Sequence, residues 1–88
     1  MFTYDPAKAI SNFRKHGVRL EDCDAALDDP AGITVEDWSE GEQRFVTIGK
    51  LDHGMIVVVT WTERRHVVRI ISARKASPGE ARQHGTRY

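Results

Sequence analysis

The residues of this chain that are best suited to chemistry on a charged substrate are basic, and they fall into two groups. Lys15-His16-Gly17 closes the first predicted helix, and residues 64–75 hold five Lys or Arg residues and no acid. Guanidinium groups bind phosphate in a forked geometry, and imidazole, with an unperturbed pKa of about 6.5, exchanges protons near neutral pH. These groups favour a phosphate-bearing or acidic partner. A structural explanation stays open, because a basic helix end complements the helix dipole and Gly is the usual C-terminal residue.

Other kinds of site find little support. The chain has four histidines and one cysteine, namely His16, His53, His66, His84 and Cys23. Their spacing matches no zinc motif, and Cys23 falls on an apolar helix face where a buried thiol is expected. No Gly-rich phosphate loop, serine nucleophile elbow or dinucleotide fingerprint is present. We therefore expect no metal and no cofactor.

The net charge is zero, but the two halves of the chain differ strongly. Residues 1–42 carry ten acidic and four basic residues, whereas residues 43–88 carry three acidic and nine basic residues. A basic surface on a small domain favours binding of nucleic acid or of an acidic protein. Attraction between two solvated faces within the fold explains the same pattern equally well.

The length of 88 residues predicts a single domain spanning residues 1–88. The longest apolar run, residues 55–59, is far shorter than the roughly 20 residues that cross a bilayer. The first residues do not resemble a secretory signal, and a lone cysteine cannot form an internal disulfide. Together these features predict a cytoplasmic protein without membrane contact.

A first helix is predicted between Asp5-Pro6 and Gly17. Asp is a good N-cap, Pro suits the first helical position, and Gly ends helices. Ile10 and Phe13 form its apolar edge. A polar stripe at positions i, i+4 and i+7 consists of Lys8, Asn12 and Lys15.

The rest of the chain predicts a short helix, a run of strands and a last helix. Residues 20–27 have one apolar face, and Ser77 with Glu80 has the form of a capping box. Four segments rich in Val, Ile, Thr and Trp, joined by short turns, predict an antiparallel meander: 33–38, 43–50, 55–62 and 66–75. Residues 2–4 are a candidate edge strand. The predicted class is α+β, in the order β-α-α-β-β-β-β-α.

Strand alternation divides the cations of the last strand between two faces. Arg69 and Lys75 are predicted on one face, and Arg74 lies beside Ser72 on the other. We therefore expect that only one of these two sets contributes to a site.

Several segments in this order resemble the BrnT family. The two most specific are Lys15-His16-Gly17-Val18 and Arg69-Ile70-Ile71-Ser72-Ala73-Arg74, and the resemblance extends over roughly residues 2–80. It implies a RelE-like fold and a toxin of a type II toxin–antitoxin system, a metal-independent endoribonuclease that blocks translation until its antitoxin binds. The implied partners are a BrnA-like antitoxin in a hetero-oligomer, an RNA substrate, and operator DNA reached only through the antitoxin. The family's tyrosine after the glutamate of the last helix has His84 or Tyr88 as its nearest equivalent.

Metal-free cleavage of RNA requires proton transfer at two oxygens and stabilisation of extra negative charge on phosphorus. Under this resemblance we expect His16 to shuttle the proton. Lys15, Arg64 and Arg74 are expected to hold the phosphate.

Four further residues are candidates for binding RNA, namely Lys8, Arg65, Lys75 and Trp61. Trp61 suits base stacking, although a Trp in a strand is more often part of the core. Glu80 is a candidate base, but its capping position favours a structural role, and Glu42 with Arg44 is simplest as a strand-end charge pair. Two alternatives stay open: an inactive RNA- or protein-binding module of the same fold, and an unrelated enzyme or structural subunit.

Overall fold

The computed structural model describes residues 2–85 and has the predicted order of elements. The strands are β1 (Phe2–Tyr4), β2 (Ile33–Asp37), β3 (Arg44–Lys50), β4 (Ile56–Arg64) and β5 (Val67–Lys75); the helices are α1 (Pro6–His16), α2 (Asp24–Leu27) and α3 (Pro78–Gln83). The second predicted helix is divided into a 3-10 turn, Leu20–Asp22, and the short α2. No helix within residues 2–85 is long and apolar enough to cross a membrane.

The five strands form one sheet in the order β1-β5-β4-β3-β2. Strands β2 to β5 are the predicted antiparallel meander. The edge strand β1 pairs parallel with β5, so the sheet is mixed. Parallel pairing needs a long connection between the two strands, and most of the chain lies between β1 and β5.

The hydrophobic core lies between one face of the sheet and the layer that contains α1, α2 and the 3-10 turn; we call this the covered face. Leu20, Cys23 and Ala26 pack there against the valines and the isoleucine of β4 and β5, among them Val57, Val59 and Ile70. Burial raises the pKa of the Cys23 thiol to about 12, so this thiol is inert at neutral pH. Gly49 is required in β3, because an added Cβ would collide with the backbone carbonyl of Ala26.

The side of α1 that faces the sheet differs from the prediction. Ile10 and Phe13, the expected apolar edge, are exposed, whereas Asn12 of the expected polar stripe is buried. Its Nδ2 donates to the carbonyls of Val18 (3.0 Å) and Ala73 (2.9 Å), and its Oδ1 accepts from the N–H of Ala73 (3.1 Å). Strand β1 pairs with β5 only as far as Ile70. The amide of Asn12 therefore replaces a neighbouring strand where β5 would otherwise have unpaired backbone groups.

A β-bulge in β5 changes which side chains share a face. Thr60 is opposite Ser72, but Trp61 is opposite Ile70, so Ile71 is an extra residue on β5. An extra residue reverses the alternation beyond it. Arg69 and Arg74 therefore lie on the same face, and the prediction that they lie on opposite faces was wrong.

The same register places Lys75 opposite Val57, on the covered face. The prediction that Lys75 shares a face with Arg69 was therefore also wrong. We call the face that carries both Arg69 and Arg74 the open face.

Candidate active site

The open face of the sheet carries three of the arginines singled out in the sequence. Besides Arg69 and Arg74 it presents the hydroxyls of Thr60 and Ser72 and, at the far end of β4, Arg64. Beside Arg74 lies a groove of about 230 Å³ between the sheet and α3, lined by Ile33, Val35, Val46, Ile48, Val58, Arg74, Glu80 and Gln83. This groove combines an apolar floor with a cation at its rim.

Arg74 is held in a fixed orientation by Glu80 of α3. The two guanidinium Nη atoms each donate to one carboxylate oxygen at 2.8 Å. Glu80 also forms the predicted capping box, since its Oε1 accepts from the N–H of Ser77 (2.9 Å) and its own N–H donates to Ser77 Oγ (3.2 Å). The cap prediction is confirmed.

The electrostatic state of this pair limits what Glu80 can do. Hydrogen bonds from Arg74 and from the N–H of Ser77 lower the pKa of Glu80 from 4.5 to about 2, and the bond to Glu80 raises the pKa of Arg74. A carboxylate with so low a pKa is a weak base near neutral pH. Glu80 therefore serves better to orient Arg74 than to accept a proton from substrate.

A second group of cations lies at the β4–β5 turn. Arg64 Nη2 is 3.4 Å from Glu42 Oε2, and Arg44 Nε is 3.3 Å from Glu42 Oε1, which confirms the predicted Glu42–Arg44 pair. Arg65 and His66 form a two-residue turn with φ of 53° and 67°, left-handed values that are uncommon for residues other than Gly. Arg65 is exposed in this turn.

The two groups are too far apart to hold one phosphate. Arg74 is opposite Val58, and Val58 is six residues from Arg64 along β4. At about 3.3 Å per residue the two arginines are separated by roughly 20 Å along the sheet. Arg64 and Arg74 therefore belong to different parts of the surface.

Lys15 and His16 lie at the exposed C-terminal end of α1, which Gly17 terminates in a left-handed conformation with φ of 71°. Within residues 2–85, neither side chain makes a hydrogen bond or an ion pair. They follow Asn12 by about one helical turn, and Asn12 is bonded to Ala73, the neighbour of Arg74. Lys15 and His16 are therefore near the Arg74 end of β5 and far from the Arg64 end.

A family model described as the ribonuclease toxin BrnT of type II toxin–antitoxin systems matches residues 4–80. The chain belongs to this family. It is also similar in structure to the ribonuclease toxin BrnT of Brucella abortus, known from a crystal structure at 1.1 Å resolution. The TM-score is 0.67 at 22% identity, over 88% of this chain and 99% of that chain, so the likeness shows the fold. No curated protein matches the sequence.

The remaining predicted RNA-binding residues of the toxin are dispersed. Lys8 is exposed on α1, and Lys75 is exposed at the end of β5. Trp61 lies on the covered face, where its ring stacks on Phe45 with centroids 4.5 Å apart and its Nε1 donates to Thr47 Oγ1 at 2.9 Å. The structure does not bring Trp61 together with the arginines of the open face.

A His–Asp pair in the toxin was not predicted. His84 Nε2 lies 2.6 Å from Asp29 Oδ2, and both side chains are only 11% exposed. Burial favours protonation of Asp29, but bonds from His84 and from the N–H groups of Ala31 and Lys50 outweigh it and lower the pKa of Asp29. The pair fastens the end of α3 to the turn after α2. His84 and Asp29 are 55 residues apart in sequence, so no local pattern reveals the pair. Tyr88, the other expected equivalent of the family tyrosine, lies outside the described residues.

Proposed function

We propose that the toxin is an endoribonuclease that cleaves RNA without a metal ion, inhibits translation by doing so, and is neutralised in the cytoplasm by a BrnA-like antitoxin in a hetero-oligomer. The observation that carries this proposal is the Arg74 end of the sheet. There an oriented guanidinium borders a groove, and α1, whose last turn carries Lys15 and His16, is bonded through Asn12 to Ala73, the residue before Arg74. Operator DNA is reached only through the antitoxin.

Metal-free cleavage by this site uses attack of the ribose 2′-oxygen on the adjacent phosphorus. The 2′-hydroxyl loses its proton, the bond from phosphorus to the 5′-oxygen breaks, and that oxygen gains a proton. His16 moves the proton, while Arg74 and Lys15 hold the added negative charge on the phosphoryl oxygens. Within residues 2–85, no three His, Cys, Asp or Glu side chains are grouped so that they could hold a metal ion.

Arg74 suits this role because its pairing with Glu80 leaves donors free. The two bonds to Glu80 and one from Nη1 to the carbonyl of Lys75 use three of the five guanidinium N–H groups. The Nε hydrogen and one Nη2 hydrogen remain for a phosphoryl oxygen. Glu80 is then a positioning residue that fixes Arg74 before substrate arrives.

The other candidates receive different roles in this proposal. Arg64 and Arg65, about 20 Å from Arg74, bind backbone phosphates of the RNA away from the scissile bond. Such phosphate contacts position a nucleic acid without taking part in the reaction. Lys8, in the first turn of α1, and Lys75, at the end of β5, add positive charge that attracts the RNA backbone. For Trp61 we propose a packing role, since its ring and its indole N–H are already engaged.

The test is cleavage of total RNA by the purified toxin in excess EDTA. We expect cleavage to persist and the products to carry 2′,3′-cyclic phosphate and 5′-hydroxyl ends. His16→Ala should slow cleavage by roughly 10²- to 10⁴-fold and remove one limb of the pH–rate profile. His53→Ala, which changes an exposed histidine in the β3–β4 turn, is the matched control and should retain the wild-type rate.

Two outcomes would contradict the proposal. Cleavage that stops in EDTA and returns with a divalent cation would show a metal-dependent enzyme. RNA that binds to the wild-type toxin without being cut would identify the inactive binding module.

A further inference from the structure

The outward side of α1 exposes two large apolar side chains next to each other. Ile10 is 57% and Phe13 42% exposed, and a spacing of three residues makes them neighbours on the helix surface. With Ala9, Arg14, Arg19 and Glu21 they line a groove of about 180 Å³ between α1 and the 3-10 turn; we call it the α1 groove. Asn12 attaches α1 to the sheet from the other side, so nothing within residues 2–85 covers this groove.

Two of the three charged residues that line the α1 groove are basic, Arg14 and Arg19, and the third is Glu21. The guanidinium of Arg19 lies over the ring of Phe13 at 4.5 Å from its centroid. An arginine that stacks on an aromatic ring by its face keeps its N–H groups free at the edge for a carboxylate.

We propose that the α1 groove binds an acidic amphipathic helix of the antitoxin, a proposal that rests on the antitoxin neutralisation proposed above. Apolar side chains of that helix bury Ile10 and Phe13, and its carboxylates pair with Arg14 and Arg19. An RNA strand would use these cations but would leave Ile10 exposed, so the observations favour a protein. Glu21, the single acid of the groove lining, repels a carboxylate at that end and sets the orientation of the bound helix.

Binding in the α1 groove explains how a short segment neutralises the toxin. Phe13 and His16 are also three residues apart, so a helix seated on Phe13 is one turn from His16. The bound antitoxin helix therefore blocks the access of RNA to His16 and to the Arg74 end of the sheet. Neutralisation then needs no contact with Arg74.

The test uses the purified cognate antitoxin, with its Kd for the toxin measured by titration calorimetry. Ile10→Glu and Phe13→Glu should each raise the Kd at least 30-fold, the size expected for a central apolar contact. Trp38→Glu is the matched control, because Trp38 is 58% exposed but lies after β2, and its Kd should stay within about threefold of wild type. All three variants should cleave RNA at the wild-type rate when the antitoxin is absent.

A charge-reversing variant tests the electrostatic part separately. Arg14→Glu should raise the Kd about tenfold at low salt and reduce its dependence on salt concentration. Because Arg14 is exposed, this variant avoids any loss of apolar packing. An unchanged Kd and an unchanged salt dependence would refute the acidic character of the bound helix.

The remaining outcomes separate this proposal from the function on which it rests. A wild-type toxin that does not bind the antitoxin would refute neutralisation itself. Tight binding by wild type and equally tight binding by Ile10→Glu and Phe13→Glu would refute the α1 groove alone. If Ile10→Glu and Phe13→Glu still bind the antitoxin but no longer bind RNA, the α1 groove is an RNA-binding surface and not the antitoxin site.

Discussion

The two faces of the sheet are built from different interactions. On the covered face, valines and an isoleucine pack against the helical layer, Gly49 admits the backbone of Ala26, and Asn12 completes the hydrogen bonds of β5. On the open face, charged side chains meet in pairs, Arg74 with Glu80 and Arg64 with Glu42. Most of the core packing is on the covered face, and Arg64 and Arg74, two of the charges suited to RNA, are on the open face. Substitutions on the two faces should therefore have different consequences.

The largest expected effect is on the open face. Arg74→Ala should reduce the cleavage rate by about 100- to 1,000-fold, the loss seen when a donor to a transition-state oxyanion is removed. Its free energy of unfolding in urea should fall by no more than about 1 kcal/mol, because the pair with Glu80 is partly exposed. Arg64→Ala, at the other end of the same face, should weaken RNA binding in a salt-dependent way and keep the rate at saturating RNA. Equal rate losses in both variants would show that one site includes both arginines.

Loss of a polar side chain on the covered face should lower the free energy of unfolding. Asn12→Ala leaves the N–H and the carbonyl of Ala73 and the carbonyl of Val18 without partners, at a cost of about 2–4 kcal/mol in the free energy of unfolding. Ser11→Ala, next to it on the exposed side of α1, should change this energy by less than about 0.5 kcal/mol. Urea unfolding followed by circular dichroism measures both. Equal stability of the two variants would show that the amide of Asn12 does not stabilise the fold.

The smallest expected effect is a change in the acid stability of the open face. The folded pKa of Glu80 lies below its ordinary value, so the stabilisation from this carboxylate is fully present above pH 4.5 and is lost as the pH falls toward 2. In that window Glu80→Gln should flatten the pH dependence of the urea midpoint. Glu63→Gln, an exposed glutamate on β4, should follow the wild-type curve. If the urea midpoint of Glu80→Gln depends on pH as that of the wild type does, Glu80 does not contribute to the loss of stability in acid.

The order of elements could be predicted because its signals are local. Asp5 caps α1 by accepting from the N–H of Ala7, Gly17 ends it, and Ser77 with Glu80 begins α3, as the sequence indicates. The meander follows from strand-like segments joined by short turns. These signals act over a few residues, and the chain satisfies them in sequence order.

The relative placement of the candidate site residues depends on long-range geometry, which the sequence reveals only in part. The residue types were apparent, but one extra residue, Ile71, reverses the alternation between Arg69 and Arg74. The same ladder sets Arg64 far from Arg74. The partner of Asn12 is 61 residues away, so no local pattern distinguishes Asn12 from the other residues of its polar stripe. In each case a contact distant in sequence decides the position of a nearby side chain.

The bond between Asn12 and Ala73 also has a consequence for the order in which the toxin is made. Helix α1 leaves the ribosome well before β5, the strand to which it is bonded. Until residues 68–73 emerge, β1 has no neighbouring strand and Asn12 has no partner on β5, so α1 is not held at the Arg74 end of the sheet. Contacts between the two ends of a chain form late in folding. A chain that stops short of Ala73 therefore lacks the proposed site, because the end of α1 and Arg74 are not yet held at one end of the sheet.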